Sequence, residues 1–184
     1  MISGSRSILQ ASVDERAEVI SRLISATPVL IHAKFEEYDQ NARKVAVKNC
    51  DGDDEVYSTI YANKLSASHP DDEEWMILEF YGSMVMLICS FAESTIRDLL
   101  PDPKPSFSSN FLCNAYNYLN KVLSLNLKSI GNYWKGHQDF TQKRNDIAHN
   151  RRVVDVSEKE LYDAIDGVHT LLRVIADALD TKNG

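Results

Sequence analysis

Residues 75–92, WMILEFYGSMVMLICSFA, contain one charged side chain, Glu79. Asp71-x-x-Glu74 stands before them as a capping box, so the sequence predicts a helix from there to about Leu100. A membrane span needs about 20 apolar residues. This run is shorter, holds Glu79, Gly82, Ser83 and Ser90, and is flanked by acids. A helix apolar on nearly every side suits the buried centre of a bundle or a dimer interface. Pro101, Pro103 and Pro105 follow Leu100 and cannot continue a helix.

Helical patterns extend on both sides of this segment. Ser12-x-x-Glu15 reads as a capping box, followed by apolar Val13, Ala17, Ile20, Leu23 and Ile24. Thr27-Pro28 then signals either a second helix or a kink in one long helix, which fades near Lys48. Residues 49–74 hold 8 of the 27 acids and read as a solvated acidic loop, with a short helix or strand around Val56–Leu65. Beyond the prolines, Leu112, Ala115, Tyr116, Leu119, Leu123 and Leu127 line one face of a helix over Phe107–Leu127. Gly131-Asn132 punctuates the chain before another helix from Tyr133 into the 140s. The last helix opens on Ser157-x-x-Glu160, with Val156 and Leu161 as a hydrophobic staple. The expectation is an all-α bundle of five or six helices with a long C-terminal helix, forming a single domain over residues 1–184. Within it lie an N-terminal helical region (12–48), an acidic loop (49–74) and a core bundle (75–181).

Composition agrees. Seven glycines and five prolines are too few for a sandwich or barrel that turns every 8–12 residues. Hydrophobic residues at 43% and charged residues at 26% are ordinary for a soluble globular domain. Cys50, Cys89 and Cys113 form no CxxC and have no histidine at metal-ligand spacing, so no metal site is expected. They read as small hydrophobes in a reducing cytoplasm. Residues 1–10 lack the apolar core of a signal peptide. The net charge of −7 argues against non-specific coating of nucleic acid.

Locally the charge reverses. Residues 143–152 carry Lys143, Arg144, Arg151 and Arg152 against a single acid, Asp146. At about 100° per residue, Tyr133, His137, Phe140, Arg144 and Ile147 fall along one line of a helix. Arg144 therefore faces the apolar side, where an unpaired charge is costly. Glu79 and Glu93 are its candidate carboxylate partners. His149 lies about 140° away on a regular helix. The two side chains can share a site only if the helix ends between them, for which Asn145-Asp146 is a signal, or if a second copy of the chain completes the site. Asn145 and His149, four apart, share a face. An arginine fork, a titratable histidine and flanking cations suit a phosphodiester.

The string Arg144-Asn145-Asp146-Ile147-Ala148-His149 resembles the RNxxxH form of the Arg-x4–6-His motif of the HEPN superfamily (higher eukaryotes and prokaryotes nucleotide-binding). Ser90-Phe91-Ala92-Glu93 is similar to the aromatic–Glu pattern of its central helix. The outline is most similar to the stand-alone RiboL-PSP and MAE groups of bacterial defence and toxin–antitoxin loci. The resemblance implies a homodimeric endoribonuclease, acting as a toxin or defence effector, with the two motifs meeting in a cleft. It implies cleavage of RNA to a 2′,3′-cyclic phosphate, with no cofactor and no required metal.

Transferred to this chain, His149 would be general acid/base and Arg144 would bind the phosphate and stabilise developing charge. Asn145 would orient His149 or the phosphate, and Glu93 would position Arg144. Lys143, Arg151 and Arg152 would contact RNA. The implied partners are RNA, a second copy of the chain, and an antitoxin or regulatory protein; no membrane is implied. Some relatives carry a tyrosine two residues after the histidine as a modification target. Arg151 stands there instead, so control by that route is not expected.

Plainer readings stand beside these. Arg144 suits a structural ion pair, His149 a helix-terminal dipole contact, Asn145 a cap, and Lys143, Arg151 and Arg152 a solvated face. His137 reads as a core histidine and Tyr118 as bundle packing. The competing function is a non-catalytic module of the same fold that binds RNA, a nucleotide or a protein.

Overall fold

The computed structural model describes residues 3–68, 73–100, 106–107, 111–130, 133–150 and 154–183. The protein is all-helical: α1 (Ser3–Asn49), α2 (Asp54–Ser68), α3 (Glu73–Leu99), α4 (Phe111–Val122), α5 (Tyr133–Asn150) and α6 (Glu158–Asn183), with one tight helical turn at Leu127–Ser129 before α5. Among the described residues there is no strand. The chain forms two compact units, residues 1–24 with 81–184, and residues 25–80.

The first unit holds most of the core. Its α3 portion buries Tyr81, Gly82, Met84, Val85, Ile88, Cys89, Phe91, Ala92, Thr95, Ile96 and Leu99. By length and composition α3 could also cross a membrane, and 44% of its most apolar window is buried inside the protein. α1 adds Val13, Ala17, Ile20 and Ile24, spaced four, three and four apart along one helix face. α4 adds Leu112, Ala115, Tyr116 and Leu119. α6 adds Leu161, Ile165, Val168, Leu171, Leu172 and Ile175. Complete burial of one such side chain stabilises by about 2 kcal/mol. Polar links tie α6 to α1: the Tyr162 hydroxyl donates to the Ser21 carbonyl at 3.4 Å, and the His169 ring meets Asp14.

The start of α6 follows its sequence signal. The Ser157 hydroxyl accepts from the Glu160 amide at 3.3 Å, while Glu160 Oε2 accepts from the Ser157 amide and hydroxyl, each at 2.8 Å. Val156 and Leu161 are both buried as the staple requires.

Three expected boundaries move. The helix read as starting at Ser12 begins upstream, and it continues through Pro28 as a single α1. Proline lacks the N–H that would bond the Ile24 carbonyl, yet one missing bond does not outweigh the helical residues on either side. The helix read over Phe107–Leu127 is confined to Phe111–Val122. Ser124 adopts φ +54 and the Asn120 amide oxygen accepts from the Leu127 amide at 2.8 Å, so Leu127 enters the core from a turn.

In the acidic segment, the helix option for Val56–Leu65 holds, and that helix is longer than expected. Much of 49–74 is α2. Asp53 Oδ1 accepts from the amides of Glu55 (2.9 Å) and Val56 (3.0 Å), and Asp54 and Glu55 occupy the first turn. Asp53, Asp54 and Glu55 thus satisfy and complement the N-terminus of α2. The Asp71 cap, the Pro101–Pro105 stop and the Gly131-Asn132 break lie outside the described residues.

The second unit is an αα-hairpin plus the first turns of α3. Its turn places Asp51 at φ +47 and Gly52 at φ +84, with the Asp53 amide donating to the Cys50 carbonyl at 2.8 Å. Both hairpin helices are clamped by Asp39, which accepts from the Tyr61 hydroxyl and from Arg43 Nε at 2.7 Å. Both contacts draw the Asp39 carboxyl below its ordinary range, the tyrosine bond foremost. Ala42 and Ala46 are buried here, where small side chains allow close helix approach. His32 Nδ1 lies 2.9 Å from Glu73, which raises the imidazole above its ordinary range.

Candidate active site

The candidate residues lie on α5, which runs unbroken from Tyr133 to Asn150. The Asn145-Asp146 stop signal is not used. Gln142 Nε2 donates to Asp146 Oδ1 at 3.3 Å across one helical turn, so this side chain braces the helix instead of capping it. The apolar line is present where its side chains are described: Phe140 is buried and Ile147 half-buried. Tyr133 and His137 have side chains outside the described residues. A Cβ on Gly82 would sit 3.7 Å from Ile147 Cδ1, an ordinary contact distance, so Ile147 of α5 packs against α3 at this position.

Arg144 is anchored against α3. Of its two candidate carboxylates, Glu93 approaches: Arg144 Nη2 lies 3.5 Å from Glu93 Oε1. Nη1 donates to Asn145 Oδ1 at 3.2 Å. The side chains of Arg144 and Glu93 remain 33% and 30% exposed, so the guanidinium is held on two sides but still meets solvent. Arginine carries five N–H donors, and these contacts leave further N–H groups for a ligand oxygen. Asn145, beside Arg144 and four residues before His149, accepts from the guanidinium and lies on the helix face of His149.

Cys89 completes the buried side. Burial pushes its thiol up to about 11, Arg144 opposes the rise and Glu93 adds to it. The thiol is therefore protonated near neutrality, and no thiolate nucleophile is offered.

His149 is exposed in the last turn of α5. Since the helix does not end between Arg144 and His149, their side chains leave it about 140° apart within one chain. Of the two arrangements the sequence left open, this geometry removes the one that needed a helix break.

Lys143, read as an RNA contact, is engaged within the chain. Its ammonium donates to Glu160 Oε1 at 2.7 Å and to the Asp155 carbonyl at 3.2 Å. This bond first, then that from the Ser157 amide, holds the Glu160 carboxyl down at about 2. Lys143 thus pins the α6 capping box to α5. The capping box was legible in the sequence, but its link to a lysine 17 residues away was not. Cys89, read as a small hydrophobe, is buried, but its place beside Arg144 was not legible, because nothing marks a helical cysteine as a neighbour of a distant arginine. Arg151 and Arg152 lie outside the described residues.

Among the described residues, no three His, Cys, Asp or Glu side chains converge as metal ligands would. Comparison of the chain with protein-family models, with characterised proteins and with solved structures gave no match.

Proposed function

We propose that the protein is a HEPN-type endoribonuclease of the cytoplasm, working as a homodimer and serving as a toxin or defence effector. The observation that carries this reading is the posture of Arg144. Glu93 and Asn145 hold its guanidinium while a third of the side chain stays open to solvent. A fixed guanidinium with spare donors suits a phosphodiester and the negative charge that builds on it.

His149 supplies the proton chemistry. As base it takes the proton of the RNA 2′-hydroxyl, whose oxygen attacks the adjacent phosphorus. The bond to the 5′-oxygen of the next nucleotide breaks, and that oxygen takes a proton from an acid. The products are a 2′,3′-cyclic phosphate and a free 5′-hydroxyl. That acid is a water molecule, so one composite site needs a single His149 beside the partner's Arg144. Asn145 aligns the arginine. No metal is required by this scheme, and an antitoxin or regulatory protein would restrain it in the cell.

The second reading is a non-catalytic RNA- or nucleotide-binding module. It is favoured by the same Arg144–Glu93 approach, since a carboxylate next to the arginine also suits a purely structural pair.

The test is incubation of pure protein with mixed RNA in EDTA, beside Arg144→Ala and His149→Ala. Cleavage by wild type, lost in both variants, with 2′,3′-cyclic ends, supports the enzyme. Intact RNA in all three samples removes it.

A further inference from the structure

We infer that Arg97, stacked on Phe111, forms a second RNA subsite that takes the face of a nucleobase next to the cleaved phosphodiester. The inference rests on the ribonuclease reading for its ligand class but not for its geometry. The Arg97 guanidinium carbon lies 3.9 Å from the centre of the Phe111 ring, a face contact. Phe111 is supported from behind: Phe107 meets it edge-on at 5.9 Å and also meets Tyr118 edge-on at 6.2 Å. These three rings are half-buried, whereas Arg97 is exposed.

A guanidinium held over a ring is restricted in the positions it takes up. Phe111 lies against the guanidinium, and Arg97 as a residue is exposed, so part of the side chain is open to a ligand. A guanidinium plane is one of the surfaces on which unpaired RNA bases stack, while its N–H edge can reach phosphate. Lysine could supply the charge at this position but not the plane.

Position gives the subsite its relation to the candidate active site. Arg97 follows Glu93 by four residues on α3, so both lie on one helix face about 6 Å apart along the axis. Glu93 is the residue that holds Arg144. Arg97 therefore lies one helical turn along α3 from the carboxylate that meets Arg144. Asp98 is beside Arg97 in sequence and tempers the local charge, so stacking rather than bulk attraction is the expected source of affinity.

The test measures binding without cleavage, in a His149→Ala background, by fluorescence anisotropy of a short labelled single-stranded RNA. Arg97→Ala and Arg97→Lys should each weaken binding roughly tenfold, the scale of one lost base stack. Phe111→Leu, which keeps apolar volume, should weaken it less. An abasic oligonucleotide with the same phosphates should bind all of these proteins equally. Helicity and melting temperature of the Arg97 variants should match the parent, since the side chain is exposed. If Arg97→Lys binds as tightly as the parent, the subsite is a charge contact and the stacking inference falls. Unaltered binding by Arg97→Ala overturns it outright. Cleavage assays in the active background separate the two proposals: an active protein indifferent to Arg97→Ala keeps the enzyme and loses the subsite. Base-dependent binding by a protein that never cleaves keeps the subsite and loses the enzyme.

Discussion

Arg144 on α5 reaches across to Glu93 on α3, with 3.5 Å between guanidinium nitrogen and carboxylate oxygen. The pair is open enough to water that its contribution to stability is small, about 1 kcal/mol or less. In the proposed function its role is orientation. Glu93→Gln should leave the melting temperature nearly unchanged. It should lower kcat about tenfold with little change in KM, the pattern of an interaction used in the transition state. An equal loss of stability and activity would instead mark Glu93 as part of the scaffold.

For the proposed homodimeric enzyme, the 140° separation of Arg144 and His149 predicts complementation between protomers. Neither Arg144→Ala nor His149→Ala should cut RNA alone. In a mixed dimer of the two, one composite site keeps both groups, because a two-fold interface pairs each residue with its counterpart's neighbour. Equal mixing and reassociation should restore about a quarter of wild-type activity. No recovery, with heterodimers demonstrated, would show that each chain carries its own complete site.

Glu160 predicts an acid-sensitive joint between α5 and α6. Its carboxyl, ordinarily near 4.5, is held at about 2 by Lys143 and Ser157. A depressed folded value means that the stabilisation is complete above the ordinary range and is lost as pH falls from about 4.5 toward about 2. Half of the side chain is exposed, so solvent screens the effect to roughly 1 kcal/mol or less. Urea midpoints at about pH 5 and about pH 3 should differ more for wild type than for Glu160→Gln. Parallel slopes for the two proteins would count against this assignment. Ser157→Ala should cost about 1 kcal/mol at neutral pH through the lost cap.

The hairpin turn predicts a penalty without a clash. Gly52 sits at φ +84, and a Cβ there would meet nothing within 4 Å. Gly52→Ala should destabilise by about 1–2 kcal/mol through backbone strain alone. Gly52→Asn, whose side chain tolerates left-handed φ, should cost less. Chemical denaturation followed by far-UV circular dichroism decides. Equal stability of all three proteins would mean that the turn relaxes.

Much of the helical plan was legible because helix signals are local. The apolar run of α3, the Ser157–Glu160 box and the Val156–Leu161 staple each depend on residues a few positions apart. Such spacing reads directly as one helix face or one cap. The acidic stretch misled for the same reason in reverse. Asp51, Asp53, Asp54 and Glu55 counted as charge suggest solvated chain. Placed at a helix N-terminus, they are a turn, a cap and a first turn.

The candidate site divides along the same line. The sequence by itself determined the all-helical character, the position of Arg144, Asn145 and His149 on one segment, and the angle between the first and last on a regular helix. Only the tertiary structure decided that α5 stays helical through Asn145-Asp146, that Glu93 is the carboxylate at Arg144, and that Lys143 turns inward to Glu160. It also set the Arg97 guanidinium on Phe111. Helix periodicity follows from the 3.6-residue repeat of the chain itself. Which side chains meet across two helices depends on how those helices pack, and no local repeat encodes that.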